Sequence, residues 1–133
     1  MDIIKKIKVL DFPLGEYVVI GSGILAVLGL RPARDIDIAV SPVLRDKLRS
    51  SGDWKEKIRW GKLFLSQKSV EIVTQLDWDK YPTKVEEAIV SATIIDGIPF
   101  LNLEETILFK KALGRKKDLK DISLIDQYLK KSH

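Results

Sequence analysis

The chain has 133 residues, 45% of them hydrophobic and 32% charged, a composition that fits one globular domain rather than a disordered segment. Its 23 Lys and Arg against 19 Asp and Glu leave a net charge of +4, which permits a polyanionic partner without demanding one. With no Cys and one His, at position 133, the sequence excludes disulfides, Cys-ligated zinc, iron–sulfur clusters, thiol nucleophiles, Ser-His-Asp catalysis and two-imidazole zinc sites. No apolar run approaches the roughly 20 residues of a membrane span. Lysines interrupt the first ten residues, where a signal peptide would be apolar. The expectation is a single cytoplasmic domain over 1–133 with no membrane partner, whose chemistry comes from carboxylates, lysines, hydroxyls or the backbone.

Ile3, Ile4, Ile7 and Leu10 recur at helical spacing and predict an amphipathic opening helix. Residues 16–20 (EYVVI) read as a strand stopped by Gly21-Ser22-Gly23, and 24–30 as a buried helix of about two turns. Residues 35–40 (DIDIAV) alternate as a strand. Ser41-Pro42 opens the next helix, with Ser41 as N-cap and Pro at the first helical position, and that helix ends near Ser51-Gly52. Strand material follows over 54–66 and again over 70–75, across the polar turn Gln67-Lys68-Ser69. An irregular stretch rich in Asp and Trp precedes a hairpin in which 92–95 and 98–101 flank Asp96-Gly97. Residues 102–113 are helical and end at Gly114; 118–130 form a last helix with Leu119, Ile122, Ile125 and Leu129 on one stripe. The class is α/β or α+β with a mixed sheet.

Alternation buries Ile36, Ile38 and Val40 and sends Asp35 and Asp37 together to the other face of their strand. Two such carboxylates repel one another unless something neutralises them, and hard oxygen ligands of this kind suit Mg²⁺. Upstream, Gly21 and Ser22 follow a strand and open a helix, where backbone N–H groups can cradle phosphate. Only 12 residues lie between Ser22 and Asp35, so one short helix returns the chain to a neighbouring strand. In Val70-Glu71-Ile72-Val73 the apolar residues turn inward and Glu71 turns out. If that strand adjoins 35–40, Glu71 joins the acidic pair. Three carboxylates, two metals and a phosphate cradle describe phosphoryl or nucleotidyl transfer. Lys110 falls on the helical line of Leu103 and Ile107, so it points inward and needs an anionic partner.

Gly21-Ser22, 12 residues, then Asp35-Ile36-Asp37-Ile38 resembles the signature of the DNA polymerase β-like nucleotidyltransferase superfamily. The stretch from Gly29 through Arg34 to Asp37 resembles its small members, including the AbiEii-like toxin nucleotidyltransferases. So does KKALGRKKDLKD, from Lys110 to Asp121, and with Glu71 the likeness spans roughly residues 16–130. The resemblance implies a minimal nucleotidyltransferase domain: a mixed, mainly antiparallel sheet flanked by helices, with its site along one sheet edge. It further implies Mg²⁺, two ions with NTP bound, on the catalytic carboxylates Asp35, Asp37 and Glu71. Gly21, Ser22, Arg34 and Lys110 would bind the nucleotide. Arg115 and Lys117 would bind phosphate or an acceptor, with Asp118 and Asp121 orienting those cations. A nucleotide would pass from NTP, ATP among them, to a hydroxyl or phosphate acceptor such as tRNA, a small compound or a protein side chain. Toxin–antitoxin membership, a homodimer and a complex with a second protein are all compatible with it.

Blander readings stand beside these. Gly21-x-Gly23-x-x-Ala26 after a strand also matches a dinucleotide fingerprint, although the intervening helix is short for one. Ser22 alone reads as an N-cap, Asp35 and Asp37 as a solvated strand face, and Glu71 as an exposed strand residue. Asp118 reads as N-cap of the last helix with Asp121 in its first turn. Trp54, Trp60 and Trp78 read as core or rim residues, and His133 with the terminal lysines as a tail. From a different class, a catalytically silent nucleotide-binding or antitoxin-like partner subunit would keep the same fold.

Overall fold

In a computed structural model, which describes residues 2–131, the elements follow the order α1 (Ile3–Leu10), β1 (Tyr17–Ile20), α2 (Gly23–Val27), β2 (Ile36–Val40), α3 (Pro42–Ser51), β3 (Lys55–Arg59), β4 (Lys62–Gln67), β5 (Val70–Val73), α4 (Val85–Val90), β6 (Thr93–Ile95), β7 (Ile98–Phe100), α5 (Leu103–Leu113) and α6 (Lys116–Lys131). His133 lies outside the described residues. Among the described residues no helix is long and apolar enough to cross a membrane.

The strands form one seven-stranded sheet in the order β3-β4-β5-β2-β1-β7-β6. The α/β class and the mixed sheet agree with the sequence. The expectation of a mainly antiparallel sheet is corrected to a mixed one, because the pairings on both sides of the central β1–β2 pair are parallel: β2 with β5, and β1 with β7. The reason is connectivity. The chain leaves β2 through α3 and the β3–β4 hairpin, and that crossover delivers β5 in the direction of β2. By contrast, β1 and β2 are antiparallel neighbours joined by the short α2, so they are not the parallel βαβ unit of a dinucleotide fold.

Period-2 burial divides the core. Tyr17, Val19, Ile36, Ile38, Val40, Leu65 and Ile72 face α1, α2 and α3 through Ile3, Ile7, Ile24, Leu25, Leu44 and Leu48. On the opposite face Val18, Ile20 and Ala39 meet Val85 and Ala88 of α4, with Phe109 and Ala112 of α5 alongside. That second layer covers only part of the sheet, and the uncovered part holds the cleft described below.

Local chemistry explains most boundaries. Ser41 Oγ accepts from the Leu44 N–H at 3.2 Å and donates to the Glu16 carboxylate, with Pro42 opening α3. Asn102 Oδ1 caps α5 through the Glu105 N–H at 2.8 Å. The Asp96-Gly97 hairpin takes positive φ at both positions, 51° and 79°, as a two-residue turn of the mirror-image type requires. Four expectations are corrected. The helix expected over 24–30 stops at Val27, because Gly29 turns left-handed (φ 74°) and the Leu30 and Gly29 N–H groups close back on Leu25 and Ala26. The stretch taken as irregular contains α4, whose Glu87 carboxylate accepts from the Lys84 N–H at its start. The last helix begins at Lys116, so Asp118 lies inside its first turn rather than capping it, reaching back to the Arg115 N–H at 3.1 Å. Leu119 is exposed, whereas Ile125 is buried and Leu129 packs against the core as expected; Asp118 and Asp121 also face inward.

Candidate functional site

Asp37 and Glu71 are direct partners in the parallel β2–β5 pairing, so their side chains leave the sheet on the same face. Ser66 of β4 stands in register with Glu71 on the other side. These strands floor a cleft of about 780 Å³, within the range of small-ligand sites. Its walls come from the Gly21-Ser22 turn, from the 59–62 hairpin turn, and from the facing ends of α5 and α6 with Lys110, Arg115, Lys117, Asp118 and Asp121. The site therefore lies on the face of three inner strands, not along a sheet edge as expected.

Asp37 is the electrostatic centre. Its carboxyl pKa is pushed up to about 6, first by burial and then by the charges of Glu71 and Asp35, while Lys110 and Lys117 pull against the rise. Beside it Gly21 adopts φ 68°, and a Cβ at that position would lie 3.2 Å from Asp37 Oδ2. Glycine thus serves twice there, in the turn and in the approach of the carboxylate.

Glu71 is already engaged. Its Oε1 accepts from Arg59 Nη2 at 2.7 Å. Among the described residues no group of three or more His, Cys, Asp and Glu side chains stands close enough to hold a metal ion together. Asp37 with a single neighbouring carboxylate nevertheless fits Mg²⁺ in its usual mode, in which one or two carboxylates are completed by waters and substrate phosphates. Burial, with the charges of Glu71 and Asp35, disfavours the ionised form of Asp37.

Lys110 is buried, 3% exposed, as its position on the helix predicts, but its anionic partners belong to the chain. Nζ lies 2.8 Å from Asp121 Oδ2 and 3.8 Å from Asp118 Oδ1. Asp118 takes a second cation, Arg115, at 2.7 Å. Asp121 takes Arg31 through a fork, Nε to Oδ1 at 2.6 Å and Nη2 to Oδ2 at 2.7 Å. Arg31 also donates to Ser22 Oγ, and Ser22 makes no side-chain cap bond to α2. Of the cations that Asp118 and Asp121 were expected to orient, Arg115 is held by Asp118, whereas Asp121 holds Arg31 and Lys110 instead; these contacts run from α6 to the Gly21-Ser22 turn.

The structure brings together Gly21, Ser22, Asp37, Glu71, Lys110, Arg115, Lys117 and Asp118 around one cleft. Asp35 and Arg34 are exposed and do not line it; Asp35 precedes the first residue of β2 and acts on Asp37 through its charge. Sequence reasoning missed Arg31 and Arg59. Arg31 has no local signal, since Asp121 lies 90 residues away in the chain. Arg59 was within reach: it alternates with Lys57 and Lys55 on β3, and the hairpin carries that face to Phe64 and Ser66 beside Glu71. Scans of protein-family models, curated proteins and solved structures each give no match to this chain.

Proposed function

We propose that the protein is a Mg²⁺-dependent nucleotidyltransferase that moves a nucleoside monophosphate from NTP to a hydroxyl or phosphate acceptor, a tRNA end among the candidates. One observation carries the reading: a half-buried carboxylate with a raised pKa, Asp37, sits in register with Glu71 and against the Gly21-Ser22 turn, in a cleft ringed by cations. Magnesium at Asp37, with Glu71, would supply charge neutralisation at the phosphates. The chain's own contribution is positional. Gly21 and Ser22 offer backbone N–H groups to the triphosphate, Lys117 and Arg115 attract it, and the Arg31–Asp121–Lys110 contacts fix the turn against α5 and α6. In the transfer an acceptor oxygen bonds to the α-phosphorus, its proton passes to Glu71, and the bond to the leaving pyrophosphate breaks.

The test is calorimetry followed by label transfer. ATP or another NTP is expected to bind only with Mg²⁺, and Asp37→Ala to abolish that binding; metal-independent binding unaffected by the substitution would reject the reading. α-labelled NTPs are then expected to label an acceptor, with total tRNA tried first. A second reading, the silent nucleotide-binding or antitoxin-like subunit of the same fold, is favoured by the Arg59–Glu71 ion pair, which ties up a carboxylate the reaction needs. Metal-dependent NTP binding without transfer to any acceptor would select it.

A further inference from the structure

The cleft lining combines two chemistries: the carboxylates with the Gly21-Ser22 turn, and an aromatic group of Trp60, Phe64, Trp78 and Phe109. Trp60 is the residue the fold accounts for least. It occupies the first position of the two-residue turn between β3 and β4, with φ 53°, followed by Gly61 at 71°. Such turns favour Asn, Asp or Gly at that position, and a bulky side chain with positive φ is strained. Nor does burial offset the strain, because Trp60 is 82% exposed. Its ring touches Phe64 edge-on, with centroids 6.1 Å apart, and the Arg59 guanidinium lies 5.4 Å from its centroid. Two residues on, Lys62 Nζ stands 5.8 Å from the Trp78 ring. Arg59 Nε is buried and lacks a hydrogen-bond partner among the described residues. An accessible indole beside the Arg59 cation, on a cleft whose lining also suits phosphate, matches a flat π-system carrying an anionic tail.

We infer that Trp60 is a stacking platform for an unpaired nucleobase, with Arg59 and Lys62 flanking the base and its phosphate. This rests on the nucleotide reading above and adds to it a subsite for the base. The base belongs either to the incoming NTP or to an unpaired nucleotide of a nucleic-acid acceptor. Stacking of a base on an aromatic ring tolerates any base, so the subsite binds bases without selecting strongly among them.

The experiment measures Mg²⁺-dependent binding of ATP, inorganic tripolyphosphate and a single-stranded RNA trinucleotide to the wild type, Trp60→Ala, Trp60→Phe and Trp60→Asn. Trp60→Ala is expected to weaken ATP or the trinucleotide by roughly ten- to a hundredfold, Trp60→Phe to keep most of the affinity, and tripolyphosphate to bind all four alike. Whichever ligand loses affinity identifies the source of the base. Trp60→Asn is expected to melt no lower than the wild type, since Asn suits the turn, while losing base affinity as Ala does. Two results overturn the platform: unchanged binding of both base-carrying ligands to Trp60→Ala while Mg²⁺-dependent binding persists, which leaves the nucleotide reading standing, or a clear drop in melting temperature for Trp60→Asn, which makes the ring structural. If neither ATP nor tripolyphosphate binds the wild type with Mg²⁺, the nucleotide reading itself fails, and the platform with it.

Discussion

Asp37 pays for its position in charge. Because its pKa stands at about 6 in the folded protein against an ordinary 3.8, the native state holds a proton there that the unfolded chain has released. The stability this group contributes is therefore full below the ordinary value and is lost as pH rises through about 6. Urea unfolding of Asp37→Asn at pH 7 is expected to show a gain of about 2 kcal/mol, and the variant's stability to flatten across that window. A variant no more stable than the wild type would place Asp37 in a better-solvated setting. Asp121 has the opposite character. Burial works against its charge, but hydrogen bonds from Arg31 and Lys110 hold its carboxyl below the usual range. Asp121→Ala leaves Lys110 buried beside Asp118 alone, and removing one partner of such a pair costs about 3–5 kcal/mol. The loss is expected as a fall in the urea midpoint, with the same change at Asp126, exposed on the far side of α6, as a near-neutral control.

At the scale of the element, the β1–α2 turn concentrates close approach. Gly23 has no special φ, but a Cβ on it would meet Val19 Cγ1 at 2.5 Å. Gly23→Ala is expected to cost about 1–3 kcal/mol by overpacking, read from thermal unfolding. Gly21→Ala combines a left-handed backbone with the contact to Asp37, so it is expected to impair Mg²⁺-dependent NTP binding as well as stability. Elements whose ends carry their own signals were legible in the sequence: Ser41-Pro42, Asn102 with Gly114, and Asp96-Gly97 each solve a local hydrogen-bonding or φ problem with the residue at hand. The helix α4 was not, since its 6 residues, Val85–Val90, make fewer than two turns, too few for a helical period to register. Site residues followed the same division. Asp37 and Glu71 were readable from alternation on short strands, but their adjacency stood only as a condition, which the β2–β5 pairing meets. The pairing of Lys110 with Asp121, of Arg31 with Asp121 and of Arg59 with Glu71 depends on how distant segments dock, which periodicity does not encode.

Across the whole molecule, packing is unequal. The inner strands β1 and β2 are buried on both faces, whereas β3 is exposed along almost its full length at one margin of the sheet. Hydrogen exchange is expected to grade accordingly, slowest for amides of Val18, Val19 and Ile38 and fastest in β3. Uniform protection across the sheet would contradict that grading. The margin also carries Arg59, the cation that occupies Glu71. Each time the outermost strand frays, Glu71 is released to solvent and to any competing cation. The opening free energy of a peripheral hairpin thereby sets how often Glu71 is free of Arg59, and substitutions at Lys55 or Lys57, on β3 but outside the cleft, become a dial on that release.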